Sequence, residues 1–469
     1  MADRREFLSS ALLLAAAAQS RAATKPPNIV LILTDDQGYG DLSCHGNPIL
    51  RTPNMDRIHH DAVRLTEFHV SPTCAPTRCS LMTGRHEFHS GVTHTILERE
   101  RMALTAATLP ELLRRAGYAT GIFGKWHLGD EDAYLPERRG FDEVYIHGGG
   151  GIGQSYPGSC GDAPGNTYFS PTLWHNGRFE KTDGYCTDLF FGAAERWIGE
   201  QRGKRPFFAY IAPNVPHTPL QVRDEDFAVY RGRVPDNTAK FFGMIHNLDQ
   251  NTGRLLDALT RWDLDRDTLL VFMTDNGGTG GLQVANGGMR TGKGTPFRGG
   301  TRVPSFWRWT GTLEPGDRPQ LAGGIDVLPT LADLVGQPLA QPVDGRSLLP
   351  LLRDAGADWP ERLLFTHVGR WERGQAAQSK YRACRVRSPR WELVSASRDA
   401  QPAWQLYDIP ADPGERTNLA AAEPAVVAEL AAAYDRWWDS VVPDLVNEEV
   451  TGPAENPYRT RYEKQFGKV

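Results

Sequence analysis

Two apolar runs far apart in the chain end in the same kind of polar cluster, and this pairing restricts the fold more than any other feature. Asn28-Ile29-Val30-Leu31-Ile32-Leu33 runs into Thr34-Asp35-Asp36, and Thr268-Leu269-Leu270-Val271-Phe272-Met273 runs into Thr274-Asp275-Asn276-Gly277-Gly278. Neither run alternates apolar with polar, which is the pattern of a strand covered on both faces of a parallel sheet. Residues 119–123 lead likewise into Gly124-Lys125-Trp126-His127, and residues 207–212 into Pro213-Asn214-Val215-Pro216-His217. Helical stretches lie between them. One covers 109–116, and another covers 240–259, where Phe241, Ile245, Leu248, Leu255 and Leu259 recur at helical spacing. This alternation predicts an α/β fold: a large mixed, mostly parallel sheet sandwiched by helices. In such folds ligands bind beyond the carboxyl ends of the strands, so carboxylates, ammonium groups and imidazoles from distant segments are expected at one edge.

The chain of 469 residues is long enough for two to four domains. After Leu352, residues 353–360 read as a linker. Short alternating strands at 363–367, 381–386, 391–394 and 404–407, then a helix over 425–438, predict a smaller C-terminal antiparallel sheet with one packed helix. The organisation read from the sequence is a leader at 1–23, a main domain at 24–352, an α+β subdomain at 361–447 and an irregular tail at 448–469.

Charge and composition exclude several classes. Lys plus Arg number 52 against 57 Asp plus Glu, a net −5, without the basic excess a nucleic-acid binder needs. The leader opens with Asp3-Arg4-Arg5-Glu6-Phe7-Leu8, continues through an apolar run at 11–18 and reaches Ser20-Arg21-Ala22. That is the profile of a cleaved signal, and its paired arginines resemble a twin-arginine leader. The apolar run is too short to span a bilayer, so the protein is expected in the periplasm or secreted, not integral to a membrane. In an oxidising compartment Cys160 and Cys186 are expected to pair, leaving Cys44 and Cys384 as packed thiols.

Cys74-Ala75-Pro76-Thr77-Arg78, followed by Leu81-Met82-Thr83-Gly84-Arg85, resembles the first signature of the type I sulfatases, of the alkaline-phosphatase superfamily. Gly117-Tyr118-Ala119-Thr120 through Gly124-Lys125-Trp126-His127 resembles the second. The likeness runs from Asn28 to about Leu419 and takes in Asp35-Asp36, Asp275-Asn276, the turn around His217, and Thr291-Gly292-Lys293. Thr77 stands where Ser is usual, and Arg298 where an acidic residue is commoner. Singly these residues have plain structural readings: Asp35-Asp36 could cap a helix, and Asp275-Asn276-Gly277-Gly278 is a turn sequence.

The resemblance implies that Cys74 is oxidised after translation to formylglycine by a formylglycine-generating enzyme. Its hydrated aldehyde carries two hydroxyls on one carbon. One attacks the ester sulfur, and the other, once deprotonated, expels the sulfate by regenerating the aldehyde. Asp35, Asp36, Asp275 and Asn276, with residue 74, are expected to bind one Ca²⁺, with Mg²⁺ less suited to several flexible carboxylates. Arg78 would hold the diol, and Lys125 and Lys293 the sulfate oxygens. The resemblance makes His127 the diol's proton acceptor and His217 the acid for the leaving alcohol, although their order is open. The expected substrate is an aryl or carbohydrate sulfate ester. Two alternatives share the scaffold: a phosphonate monoester or phosphodiester hydrolase, and an unmodified, inactive protein that binds sulfated glycans.

Overall fold

The computed structural model describes residues 26–397 and 399–468, so the leader read at 1–23 lies outside the described residues. The main sheet has ten strands in the order Gly316–Arg318, Val63–Leu65, Ser305–Arg308, Thr268–Thr274, Asn28–Thr34, Phe207–Ala212, Ala119–Lys125, Glu143–His147, Thr172–His175, Arg178–Lys181. From Thr268–Thr274 to Glu143–His147 the neighbours are parallel. Both flanks add antiparallel pairs.

The central strand explains why its sequence lacks alternation. Ile29, Leu31 and Leu33 enter one hydrophobic layer, Val30 and Ile32 the other, and all five are fully buried. Burying each such side chain contributes about 1.5–3 kcal/mol, so neither face tolerates a polar residue. The first layer includes the helices Cys74–Thr83 and Leu109–Arg115. The second includes Cys186–Gln201 and Asp236–Arg261.

The register sets the functional edge. Thr34 lies opposite Thr274, so Asp35 and Asp275 leave their strands side by side. Gly124 lies opposite Ala212, and Lys125 opposite His147. Four strand ends thereby converge as the sequence predicts.

The smaller sheet is antiparallel in the order Leu364–His367, Cys384–Arg387, Trp391–Ser395, Trp404–Asp408. The helix Pro424–Val441 packs on it through Leu430, Tyr434, Trp437, Trp438 and Val441.

Three expectations need correction. The tail expected to be irregular over 448–469 contains the helix Pro457–Phe466. Asn456 caps it, accepting from the Tyr458 and Arg459 amides, and Tyr458 is buried against Trp174 and Phe179. An Asn cap followed by Pro at the first helical position is a start signal that was present in the sequence. Second, the stretch 147–185, which reads in the sequence as one long irregular region, contains Thr172–His175 and Arg178–Lys181, which extend the main sheet as a hairpin. Third, Cys160 and Cys186 are free thiols on different partners. Cys160 Sγ lies 3.6 Å from His127 Nε2, and Cys186 Sγ lies 3.9 Å from Thr187 Oγ1.

Candidate active site

The two acidic strand ends interlock through their own polar groups. The Asp36 amide donates to Asp275 Oδ1 at 3.2 Å, and Asn276 Nδ2 donates to Asp36 Oδ1 at 2.9 Å. Asp36 adopts φ 70°, a left-handed conformation that turns the chain sharply after the strand. All four residues, Asp35, Asp36, Asp275 and Asn276, are buried. Asp35 Oδ1 and Asn276 Oδ1 nevertheless have no hydrogen-bond partner. A buried acceptor without a partner is costly, and two such oxygens among carboxylates fit a hard dication.

Cys74 begins the helix Cys74–Thr83, every residue of which is buried. Pro76 falls in its first turn, where a missing amide hydrogen costs little, and the exposed amides of that turn favour anions. Arg78 lies one turn on, at the i+4 position of the same face. Its guanidinium donates to Asp275 Oδ2 at 2.8 Å and to the Lys125 carbonyl at 3.0 Å, tying the helix to two strand ends. Thr77 Oγ1 donates to the Ser71 carbonyl at 3.0 Å, a bond the usual serine hydroxyl would make equally well.

Cations surround the acids. Lys125 Nζ sits 2.7 Å from Asp35 Oδ2 with both side chains inaccessible. Lys293 Nζ bonds Asp36 Oδ1 and lies 3.4 Å from Cys74 Sγ. Burial pushes the Asp36 carboxyl up, but Lys293, His217 and the Asn276 amide outweigh it and hold the group well below the usual carboxylate range. Asp275 moves the other way, to about 6, because burial and the neighbouring Asp35 charge outweigh Arg78 and Lys125. The ligand atoms of Asp35, Asp36, Cys74 and His217 all lie within 4.8 Å of one another.

The two histidines are fixed by carbonyls, which can only accept. His127 Nε2 lies 2.7 Å from the Thr95 carbonyl, so its proton is on Nε2 and the buried, unpartnered Nδ1 carries a lone pair. His217 Nδ1 donates to the Thr218 carbonyl at 2.6 Å, leaving Nε2 3.9 Å from Asp36 Oδ2. Burial, aided by Lys125, drives the basicity of His127 well down; burial likewise holds His217 at about 4, although Asp36 opposes it.

Of the residues singled out from the sequence, Asp35, Asp36, Cys74, Arg78, Lys125, His217, Asp275, Asn276 and Lys293 are joined through these contacts, whereas His127 is held by Thr95 and Cys160 beside them. Two contributors were not foreseen, Thr95, whose carbonyl sets the His127 tautomer, and Cys160, whose thiol lies against the same ring. One signal for this wall was available. Gly148-Gly149-Gly150-Gly151 follows a strand, and a Cβ at Gly150 would come 2.9 Å from the His127 ring. Trp174 packs under the tail helix, and His175 pairs with Glu143 and Glu180.

A parallel-centred α/β sheet with buried carboxylates, paired cations and a cysteine at a helix N-terminus defines an alkaline-phosphatase-like fold. The comparisons narrow this class. The Sulfatase family profile matches residues 27–337, and a profile described as N-sulphoglucosamine sulphohydrolase, C-terminal, matches residues 294–434. The chain is 33% identical to human arylsulfatase A over 460 residues, covering 87% of this chain and 86% of that protein. It is 31% identical to rat N-acetylgalactosamine-6-sulfatase over 366 residues, 70% of this chain and 66% of that one. The solved structure of Ps i-CgsB in complex with k-i-k-neocarrahexaose superposes with a TM-score of 0.80 at 28% identity, covering 92% of this chain and 95% of that one. The chain belongs to the sulfatase family and is a sulfuric ester hydrolase.

Proposed function

We propose that this sulfatase releases inorganic sulfate from an aryl or carbohydrate sulfate ester, with residue 74 as formylglycine and one Ca²⁺ held by Asp35, Asp36, Asp275 and Asn276. The observation that carries the reading is the pair of unpartnered buried oxygens, Asp35 Oδ1 and Asn276 Oδ1, in the acidic cluster that adjoins Cys74 through Asp35 and Asp36. An all-oxygen set with several carboxylates suits Ca²⁺ better than zinc. When bound, the ion supplies Lewis acidity that polarises a sulfate oxygen and acidifies a neighbouring hydroxyl.

The chain's own groups divide the remaining work. Residue 74 presents its two oxygens at the helix N-terminus, and Arg78 holds them. His127 Nδ1 accepts a proton from that residue, because its other nitrogen is already committed to Thr95. Lys125 and Lys293 bind the sulfate oxygens and the charge that grows on the leaving oxygen. His217 Nε2 protonates the departing alcohol. An arriving sulfate ester brings the negative charge that favours its imidazolium form. The names of the relatives and of the oligosaccharide complex support aryl and sugar sulfates as the substrates to try first. The leader at 1–23 and the expected need for a formylglycine-generating enzyme support maturation before export to the periplasm or beyond. Among the described residues no helix is long and apolar enough to cross a membrane.

A sulfate-release screen over aryl sulfates and sulfated sugars tests the reading, using protein co-expressed with a formylglycine-generating system. Turnover that disappears on chelation and returns with Ca²⁺ is expected. Turnover indifferent to chelation would remove the metal from the account.

A further inference from the structure

Beyond the reaction centre, the loop that continues from Asp35-Asp36 brings a second set of ligands together. Ser43–His45 is a short 3-10 turn, and His59 lies in the last turn of the helix Pro53–His60. The ligand atoms of Cys44, His45 and His59 all lie within 4.8 Å of one another, and all three residues are half-buried. Unlike the reaction centre, this group has one sulfur and two imidazole nitrogens and no carboxylate among its ligands. That choice selects borderline-soft transition metals over Ca²⁺ or Mg²⁺.

The surroundings orient the ligands. His45 Nδ1 donates to the Tyr39 carbonyl at 2.8 Å, and its ring stacks on Tyr39 with centroids 3.9 Å apart. The proton is thereby fixed on Nδ1, and the Nε2 lone pair is free to bind. This is the outer-sphere bond that zinc-ligating histidines typically make. The His59 ring meets His45 and Phe306 edge-on at 5.6 and 5.1 Å between centroids. Asp56 accepts from the Cys44 amide at 3.1 Å and from the Thr52 hydroxyl at 3.0 Å, fixing the turn against the helix. A surface pocket of about 440 Å³ opens on all three residues, so solvent ions have access.

We propose that Cys44, His45 and His59 form a site for Zn²⁺ or a similar borderline dication, with water in the fourth position. Tetrahedral zinc with bonds of about 2.0–2.3 Å needs ligand atoms about 3.5 Å apart, a spacing within reach of small side-chain rotations here. On binding, the Cys44 S–H bond is replaced by an S–metal bond and the proton passes to solvent, while both imidazoles enter neutral. The ion would staple the turn to the helix; it takes no part in sulfate release.

Cobalt(II) titration of full-length protein, stripped of metal and then resupplied with excess Ca²⁺ to fill the acidic cluster, tests this, in a Cys74→Ala background so that no thiolate at the reaction centre contributes. One equivalent should produce a thiolate-to-metal charge-transfer band and the visible bands of tetrahedral cobalt. Cys44→Ser should abolish the charge-transfer band. His59→Gln, at a half-exposed position, should keep the band and weaken binding by at least about tenfold, whereas Cys79→Ala should leave both unchanged. In protein with Cys74 intact, Cys44→Ser should leave sulfate release near the parent rate while removing the rise in thermal midpoint that Zn²⁺ gives. Absence of a thiolate band at one equivalent, or a band that survives Cys44→Ser, would overturn the site.

Discussion

The proposed reaction centre and the junction between the two sheets both bury ionic clusters, yet they satisfy their charges differently. At the junction Glu67 receives the two prongs of Arg298 at 2.7 and 2.8 Å and Arg387 at 3.1 Å. Burial alone would raise the Glu67 carboxyl, but the hydrogen bonds from Arg298, with His69 close by, hold it well below the usual range. At the reaction centre Lys125 makes a single contact with Asp35 Oδ2 and leaves Oδ1 bare. An arginine fork can saturate a carboxylate, whereas a lysine point charge neutralises it and keeps an oxygen free. The difference also accounts for Arg298, unusual for the family at that position: it is half of the junction's bidentate pair.

The comparison can be broken experimentally, beginning with the largest effect. Cys74→Ala should lower sulfate release by roughly 10⁴–10⁶-fold, as loss of a nucleophile does elsewhere, while Cys79→Ala keeps most of it. Glu67→Ala should cost about 3–5 kcal/mol in urea unfolding, because it strands buried arginines, yet leave kcat near wild type in whatever fraction folds. Lys125→Ala should do the reverse, lowering kcat by about 10²–10³-fold with a smaller change in the unfolding midpoint. If Glu67→Ala and Lys125→Ala affected activity and stability alike, the distinction between the clusters would be lost.

The last test concerns pH. Glu415 is pushed up to about 9, first by burial and then by Glu392. The native state therefore keeps a proton that the unfolded chain has lost above the ordinary carboxyl value. Stability should fall as pH rises from about 4.5 towards about 9, and Glu392→Gln should flatten that slope in unfolding curves across the range. An unchanged slope would remove Glu392 as the cause.

Much of this architecture was legible in the sequence, and the reason is local. Asn28–Thr34 and Thr268–Thr274 are apolar throughout because both faces are covered, and polar groups begin where the cover stops. Those strand ends disclosed Asp35, Asp36, Asp275, Asn276, Lys125 and the approach to His217. What stayed hidden depends on backbone atoms or on packing between remote segments. The Thr95 carbonyl on His127 carries no side-chain signature, and the pairing of Glu67 with Arg298 joins positions 231 apart. Cys160 suggested a disulfide because composition and compartment say nothing about which ring a thiol will meet.

The central claim is that residue 74 reacts as an aldehyde hydrate and not as a thiol. Mass spectrometry of the peptide 65–78 from turnover-competent protein tests it most directly. The account predicts loss of the cysteine sulfur and gain of an aldehyde oxygen at position 74, in proportion to specific activity. Full sulfate release from protein whose Cys74 remains an intact thiol would contradict it.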